Sequence, residues 1–277
     1  MSEVQGSAPL KSYELVSNEL VTDALKNDKG PNAELLSWEI KPFTNKGDNY
    51  SSIVVGITVS YRKNEMDSEC TYVAKLNPLR PLNSNTENFE KSYTRETEVL
   101  NGIVEGMNNE LKRLGFDAIK TPKLLSKNLE KGREAFVTEN LRTQGFKMSD
   151  KMRGMDLNHS LFVVKELGRF HASSLLFEET LPTKYIPDTF NGVKELKKEL
   201  HDQKIFGMAS SMMVLQFSLA QGEDVPDMED MTDDRMDEFF DKQTRKFEEM
   251  SGREGPFRDR YIAIFDDMLD TDIFDAD

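Results

Sequence analysis

Two side chains of opposite charge stand where the pattern around them asks for apolar residues. Lys75 lies in CTYVAKLNP, a strand-like stretch whose alternation sends Val73 and Lys75 to one side and Tyr72, Ala74 and Leu76 to the other. Glu96 lies in a helical pattern from about Thr86 to Leu111. Its seam is Phe89, Tyr93, Glu96, Leu100, Ile103, Met107 and Leu111, spaced by threes and fours. A lone carboxylate in an apolar stripe is neutralised or paired, because stranding its charge is expensive. The nearest logical cation is Lys75, on a strand placed to pack beside the helix. A lysine and a glutamate meeting inside a small sheet-plus-helix lobe can set an ammonium against nucleotide phosphates. Pattern alone equally allows Glu96 to tilt into solvent and Lys75 to snorkel from a sheet edge.

The elements that must position this pair are readable in the flanking sequence. Residues 11–28 form a helical pattern with Leu15, Leu20, Val21 and Leu25 on its apolar face, followed by a Gly30-Pro31 break. Trp38, Ile40 and Phe43 then alternate with polar residues as a half-buried strand does. A turn cluster, Lys46-Gly47-Asp48-Asn49, leads into Ile53, Val55, Ile57, Val59 and Tyr61 at period two. The opposite side of that strand is small or polar (Ser52, Val54, Gly56, Thr58, Ser60), a surface against which a ligand can lie. A polar turn, KNEMDSE, connects to the Lys75 strand.

Downstream of the Glu96 helix, KLLSKNLEK and EAFVTENL read as a strand pair around Gly132, ended by Thr143-Gln144-Gly145. A strong helix spans Leu157 to Phe177 and stops before Pro182. A later helix is N-capped by Thr232, acidic in its first turn (Asp233, Asp234), and stopped at Gly252. Its apolar face is Met236, Phe239, Phe240, Phe247 and Met250. Strands with one inserted helix, followed by helices alone, indicate an α+β fold with two lobes.

Composition narrows the function. The chain has 277 residues, 37% hydrophobic and 31% charged, with a formal net charge of −14. A surface of that sign repels nucleic acid and anionic lipid, so both are set aside as partners. No apolar run reaches the ~20 residues of a membrane span, and the start shows no signal-peptide pattern. The single cysteine, Cys70, excludes an internal disulfide and suits a reducing compartment, so a cytoplasmic location is expected. Glu223 to Asp241 carries ten acids against one arginine and reads as a solvated face. His171 in RFHASS has no second histidine partner and reads as a packed helix residue. His201-Asp202 lacks the glycine and downstream asparagine of a phosphotransferase loop.

KGDNYSS, YVAKLNP, the helix bearing Glu96, VTENL with the following Gly145-Phe146, RGMDLNH and LGRFHASS occur in the order and spacing of one family. Over roughly Leu35 to Leu176 the chain resembles the ecdysteroid kinase-like proteins, also called CHK-type kinases, relatives of the choline and aminoglycoside kinases. The resemblance implies a protein-kinase-like fold with an antiparallel sheet and a C-helix in the N-lobe, and a helical C-lobe. It implies transfer of the ATP γ-phosphate to a small-molecule hydroxyl, with a steroid as the suspected acceptor.

Carried over by position, Gly47, Asp48, Asn49, Tyr50, Ser51 and Ser52 form the loop over the phosphates. Lys75 contacts the α- and β-phosphates and Glu96 holds it; Val73 packs on adenine, and Glu139 and Leu141 present hinge backbone to it. Two departures stand out. The loop is not G-x-G-x-x-G, and Asp48 brings negative charge toward phosphates, so it is expected to bond the turn's own amides. The hinge reads Glu139-Asn140-Leu141 where the family usually has Glu-Asp-Leu.

In this family the base that accepts the hydroxyl proton and the Mg²⁺ ligands come from an HGD loop with a following asparagine and a later DFQ-like turn. The sequence contains no His-Gly-Asp, Asp-Phe-Gln or Asp-Phe-Gly. No catalytic residue and no metal ligand is therefore assigned, and a C-lobe that stops before the catalytic loop is expected. The expected organisation is an N-terminal extension at 1–34, an N-lobe at 35–142 and a partial helical C-lobe at 143–277 with an acidic end. The expected ligands are ATP and a hydroxyl-bearing small molecule, with self-association through apolar surface that an incomplete lobe leaves bare. A non-catalytic binding or interaction protein, using the acidic helices, is the alternative.

Overall fold

A computed structural model describes residues 11–44, 52–79, 86–148, 155–195, 233–255 and 258–259. The described residues up to 195 belong to one compact unit, and helix Asp233–Gly252 belongs to a second. The fold is mixed α+β: a five-stranded antiparallel sheet with helices, consistent with the kinase-like two-lobe class. The turn cluster 45–51, the cap residue Thr232, His201 and Asp202 lie outside the described residues.

The N-terminal helical pattern divides. A 3₁₀ turn, Ser12–Leu15, is followed by α1 (Asn18–Lys29), because Ser17 adopts extended backbone and its hydroxyl accepts from Leu20 N at 3.1 Å. The sheet order is β1 (Glu34–Pro42), β2 (Ile53–Lys63), β3 (Met66–Leu76), β5 (Ala135–Glu139), β4 (Leu124–Asn128). The β2–β3 hairpin is tighter than the polar stretch suggests. Only Asn64 and Glu65 turn, with φ of 51° and 64°, and the strands pair up to Lys63–Met66.

Alternation is obeyed along both central strands. Val55, Ile57 and Val59 of β2 and Tyr72, Ala74 and Leu76 of β3 are buried against Leu20, Val21, Ala24 and Leu25 of α1. Two hydrogen bonds fasten α1 across the sheet's far side: Ser126 Oγ to Leu20 O at 2.7 Å and Asn27 Nδ2 to Leu125 O at 2.7 Å. α1 thus covers the face that carries Val55, Ile57, Tyr72 and Ala74. The covered face is chemically quiet. Tyr72 donates to Asp28 Oδ2 at 2.9 Å, burial pushes its hydroxyl pKa up, and burial likewise holds the Cys70 thiol protonated.

The long helical pattern is interrupted. α2 (Thr86–Glu98) passes through a π-helical turn, Val99–Ile103, into α3 (Val104–Arg113). The buried positions nevertheless keep a spacing of threes, fours and sevens across the π turn. Above it the buried line runs Glu90, Tyr93, Thr97; below it Ile103, Val104, Met107, Leu111. Thr97 rather than Glu96 is fully covered, which corrects the expectation of a glutamate in mid-stripe.

α4 (Leu157–Thr180) is N-capped by Asp156, whose carboxylate accepts from His159 N at 2.9 Å. The backbone and side chain of His159 hold the Asp156 carboxyl below its usual range. Phe170 and Phe177, with Phe190 and Val193, pack on Ile103, Met107 and Leu111. The first half of α4 is bare: Leu157, Leu161, Phe162, Val164 and Leu167 are each more than half exposed. His171 is exposed beside the Phe170 ring, so it is not the packed residue expected. An apolar face of this extent predicts strong fluorescence of an apolar reporter dye with the native protein. Leu161→Asp with Val164→Asp should lower that signal severalfold, and an unchanged signal would place dye binding elsewhere.

Candidate functional site

Antiparallel register decides what surrounds Lys75. Residues directly opposite in a ladder share a face, so Val54 of β2 and Phe136 of β5 flank Lys75, and Gly56 and Thr138 flank Val73. From above the sheet, Glu96 of α2 reaches in and its Oε2 accepts a hydrogen bond from Lys75 Nζ. The lysine and glutamate side chains are 24% and 40% exposed, so the pair is only partly withdrawn from solvent. Two rings steady the ammonium: its Nζ lies 6.0 Å from the Tyr93 centroid and 5.9 Å from that of Phe136. The rings themselves meet edge to face at 6.0 Å.

A buried polar network fixes the strand just beyond the lysine. Asn77 Nδ2 donates to Glu134 Oε2 at 2.6 Å, Asn77 N donates to Glu134 O at 2.8 Å, and Glu134 Oε1 accepts from Gly132 N at 2.9 Å. Gly132 takes a positive φ of 75°, which lets the β4–β5 turn present that amide. Asn77 is 8% and Glu134 3% exposed, so these bonds act in a low-dielectric setting. They hold β3 to the β4–β5 turn two residues after Lys75.

The remaining predicted positions fall around the same face. Val73 is half-buried beside Gly56, as alternation required. Glu139 ends β5, where its N donates to Lys123 O and its carboxylate accepts from Lys123 N, each at 3.0 Å. Leu141 opens a 3₁₀ turn, Leu141–Gln144, and its carbonyl accepts from Phe146 N at 3.2 Å. Asn140 caps that turn through Arg142 N at 3.1 Å and donates to Thr71 Oγ1 at 2.9 Å, tying the turn to β3. An aspartate at 140 lacks that amide donor. Ser52 is buried just before β2, whereas Gly47, Asp48, Asn49, Tyr50 and Ser51 lie outside the described residues.

Sequence reasoning missed Tyr93, Phe136, Asn77 and Glu134. Tyr93 had a signal, lying three residues before Glu96 on the same helix face. Phe136 had none, because nothing local says that β5 inserts between β3 and β4. Phe43 belongs to this face too. It does not continue the Trp38–Ile40 side, since a Cβ on Gly56 would lie 3.4 Å from its ring. Among the described residues no group of three His, Cys, Asp or Glu is placed to hold a metal ion. No helix among them is long and apolar enough to cross a membrane.

A lysine on the third strand, clasped by a helix glutamate on the sheet face opposite α1, belongs to a kinase-like small-molecule phosphotransferase fold. The ecdysteroid kinase-like family matches residues 46–260, more than three-quarters of the chain, and the chain belongs to that family. No curated protein and no solved structure matches it.

Proposed function

We propose that this chain is a nucleotide-binding member of an ATP-dependent small-molecule kinase family, with a steroid hydroxyl as the acceptor class the family name suggests. The observation that carries the reading is the Lys75–Glu96 pair, formed between a strand and a helix on the one sheet face that α1 does not cover. Lys75 neutralises charge on the α- and β-phosphates, and Glu96 holds the ammonium against Tyr93 and Phe136. Gly47 to Ser52 covers the phosphates, Val73 packs on the base, and backbone at Glu139 and Leu141 meets its edge. Magnesium accompanies ATP in this chemistry and shields phosphate charge; no residue here is assigned to it.

Transfer requires a carboxylate placed to take the acceptor's hydroxyl proton, and loose placement forfeits most of the rate. With no His-Gly-Asp and no Asp-Phe-Gln or Asp-Phe-Gly in its 277 residues, the chain binds nucleotide without carrying out transfer. A single unpaired cysteine is compatible with work in the cytoplasm. The bare half of α4 favours a second role for the same scaffold, as an interaction protein.

Calorimetric titration with Mg-ATP, beside a transfer assay over a panel of hydroxyl acceptors, tests the reading. Saturable binding with no acceptor phosphorylation is expected. Absence of binding at millimolar Mg-ATP would leave the scaffold role alone. Turnover that depends on Lys75 would overturn the catalytic assignment.

A further inference from the structure

The open face carries a second feature besides the lysine. The guanidinium carbon of Arg142 lies over the Phe43 ring, 3.8 Å from its centroid, although the two residues are far apart in sequence. Phe43 follows the last residue of β1, and its ring lies close enough to β2 that a Cβ on Gly56 would touch Cδ2 at 3.4 Å. Glycine at 56 therefore lets an aromatic ring rest on the sheet. Gly56 pairs with Val73 in the register, two residues along β3 from Lys75. Same-face neighbours on a strand are about 7 Å apart, so the Phe43 ring lies one strand across and one such step along from Lys75. Arg142 is well anchored: Asn140 Oδ1 accepts from its backbone N at 3.1 Å, and Asn140 Nδ2 donates to Thr71 Oγ1 at 2.9 Å.

We propose that Phe43 is the stacking platform for a planar heterocycle, and that the Arg142 guanidinium competes with that heterocycle for the ring. A guanidinium and a nucleobase are both flat, and both are stabilised on an aromatic face. The base displaces the guanidinium from the ring, and the swung-out cation remains at the mouth of the slot. This deepens the nucleotide reading and rests on it for the identity of the ring. The two halves of a nucleotide then have separate anchors: the base on Phe43, the phosphates on Lys75.

The arrangement predicts effects of opposite sign from two residues in contact. Affinity for adenosine, which has a base and no phosphate, should fall about five- to a hundredfold in Phe43→Leu, which keeps apolar bulk and removes the ring. It should rise about two- to fivefold in Arg142→Ala, because the competitor for the ring is gone. Phe43→Tyr should restore binding to within about twofold of the parent. Affinity for inorganic triphosphate, which has no base, should ignore these substitutions and fall in Lys75→Met. Adenosine affinity that is absent, indifferent to Phe43→Leu, or unchanged or weakened in Arg142→Ala overturns the platform. Triphosphate indifferent to Lys75, with adenosine behaving as described, would overturn the phosphate assignment and leave the platform standing.

Discussion

Lys75→Met should weaken Mg-ATP binding about ten- to a hundredfold while moving the melting temperature of the empty protein by no more than about 4 °C. The two effects separate because they draw on different environments. The Lys75–Glu96 pair is partly wetted, at 24% and 40% exposure. Exposed and half-exposed ion pairs contribute only about 0–1 kcal/mol to folding, which is a few degrees in a chain of this size. Methionine fills the same channel between Tyr93 and Phe136 with similar apolar length. Phosphate oxygens, by contrast, accept charge-assisted hydrogen bonds from the ammonium, about 1.5–3 kcal/mol each. Removing the charge removes that contribution entirely, giving the affinity loss stated. Parallel titration and melting of parent and variant check both halves. A melting point lowered by ten degrees with affinity intact would make the pair a structural bridge and withdraw its phosphate role.

The second large effect comes from a residue that touches neither lysine nor ligand. Gly192 lies in the helical turn after α5 (Ile186–Thr189). Its N donates to Glu98 Oε2 at 2.8 Å, and its O accepts from Arg95 Nε at 3.2 Å. Arg95 and Glu98 bracket Glu96 on α2, so this clasp sets the position of the glutamate that holds Lys75. A Cβ on Gly192 would lie 2.9 Å from the Arg95 Cα and 2.8 Å from Glu98 Oε2. The carboxylate can step aside; the backbone of a packed helix cannot do so cheaply. Gly192→Ala should therefore cost about 1–3 kcal/mol of stability, the usual range for an overpacked contact. It should also weaken Mg-ATP binding severalfold, because α2 shifts at the turn that carries Glu96. Glu98→Gln keeps the volume and an acceptor oxygen, so it should cost less than half as much. Denaturant melts with nucleotide titrations on both variants decide it. Gly192→Ala as stable as the parent would show that the clasp is slack and positions nothing.

Both predictions concern contacts that differ in how far the sequence foretold them. The Lys75–Glu96 pair was legible as a suspicion, since each charge broke an apolar pattern and Lys75 was the nearest logical cation, a pairing the family resemblance then favoured over the solvent-facing alternative. The clasp at Gly192 left no trace, because a glycine in a helix reads as a weak position until the element facing it is known. The same holds for Asn77 and Glu134, which read as ordinary polar residues flanking strands and become a buried network only when β5 lies beside β3. Phe43 was assigned to the wrong side because it was counted in step with Trp38 and Ile40, whereas an odd spacing places it with Gly56. Glu96 was placed too deep for a comparable reason: the seam was phased one residue early, through Phe89 and Glu96, whereas the buried line runs through Glu90, Thr97 and Val104.

By itself the sequence determined which side chains share a face. Period two placed Val73 with Lys75 and set Tyr72, Ala74 and Leu76 against the core; helical spacing put Tyr93 and Glu96 together. That information is local, because backbone geometry repeats every two or every 3.6 residues whatever lies opposite. Only the tertiary structure decided which faces meet. The insertion of β5 between β3 and β4 brought Phe136 beside Lys75, and the 3₁₀ turn after β5 carried Arg142 onto Phe43. Those pairings are chosen by packing and by the summed cost of closing long loops, which no window of neighbouring residues contains.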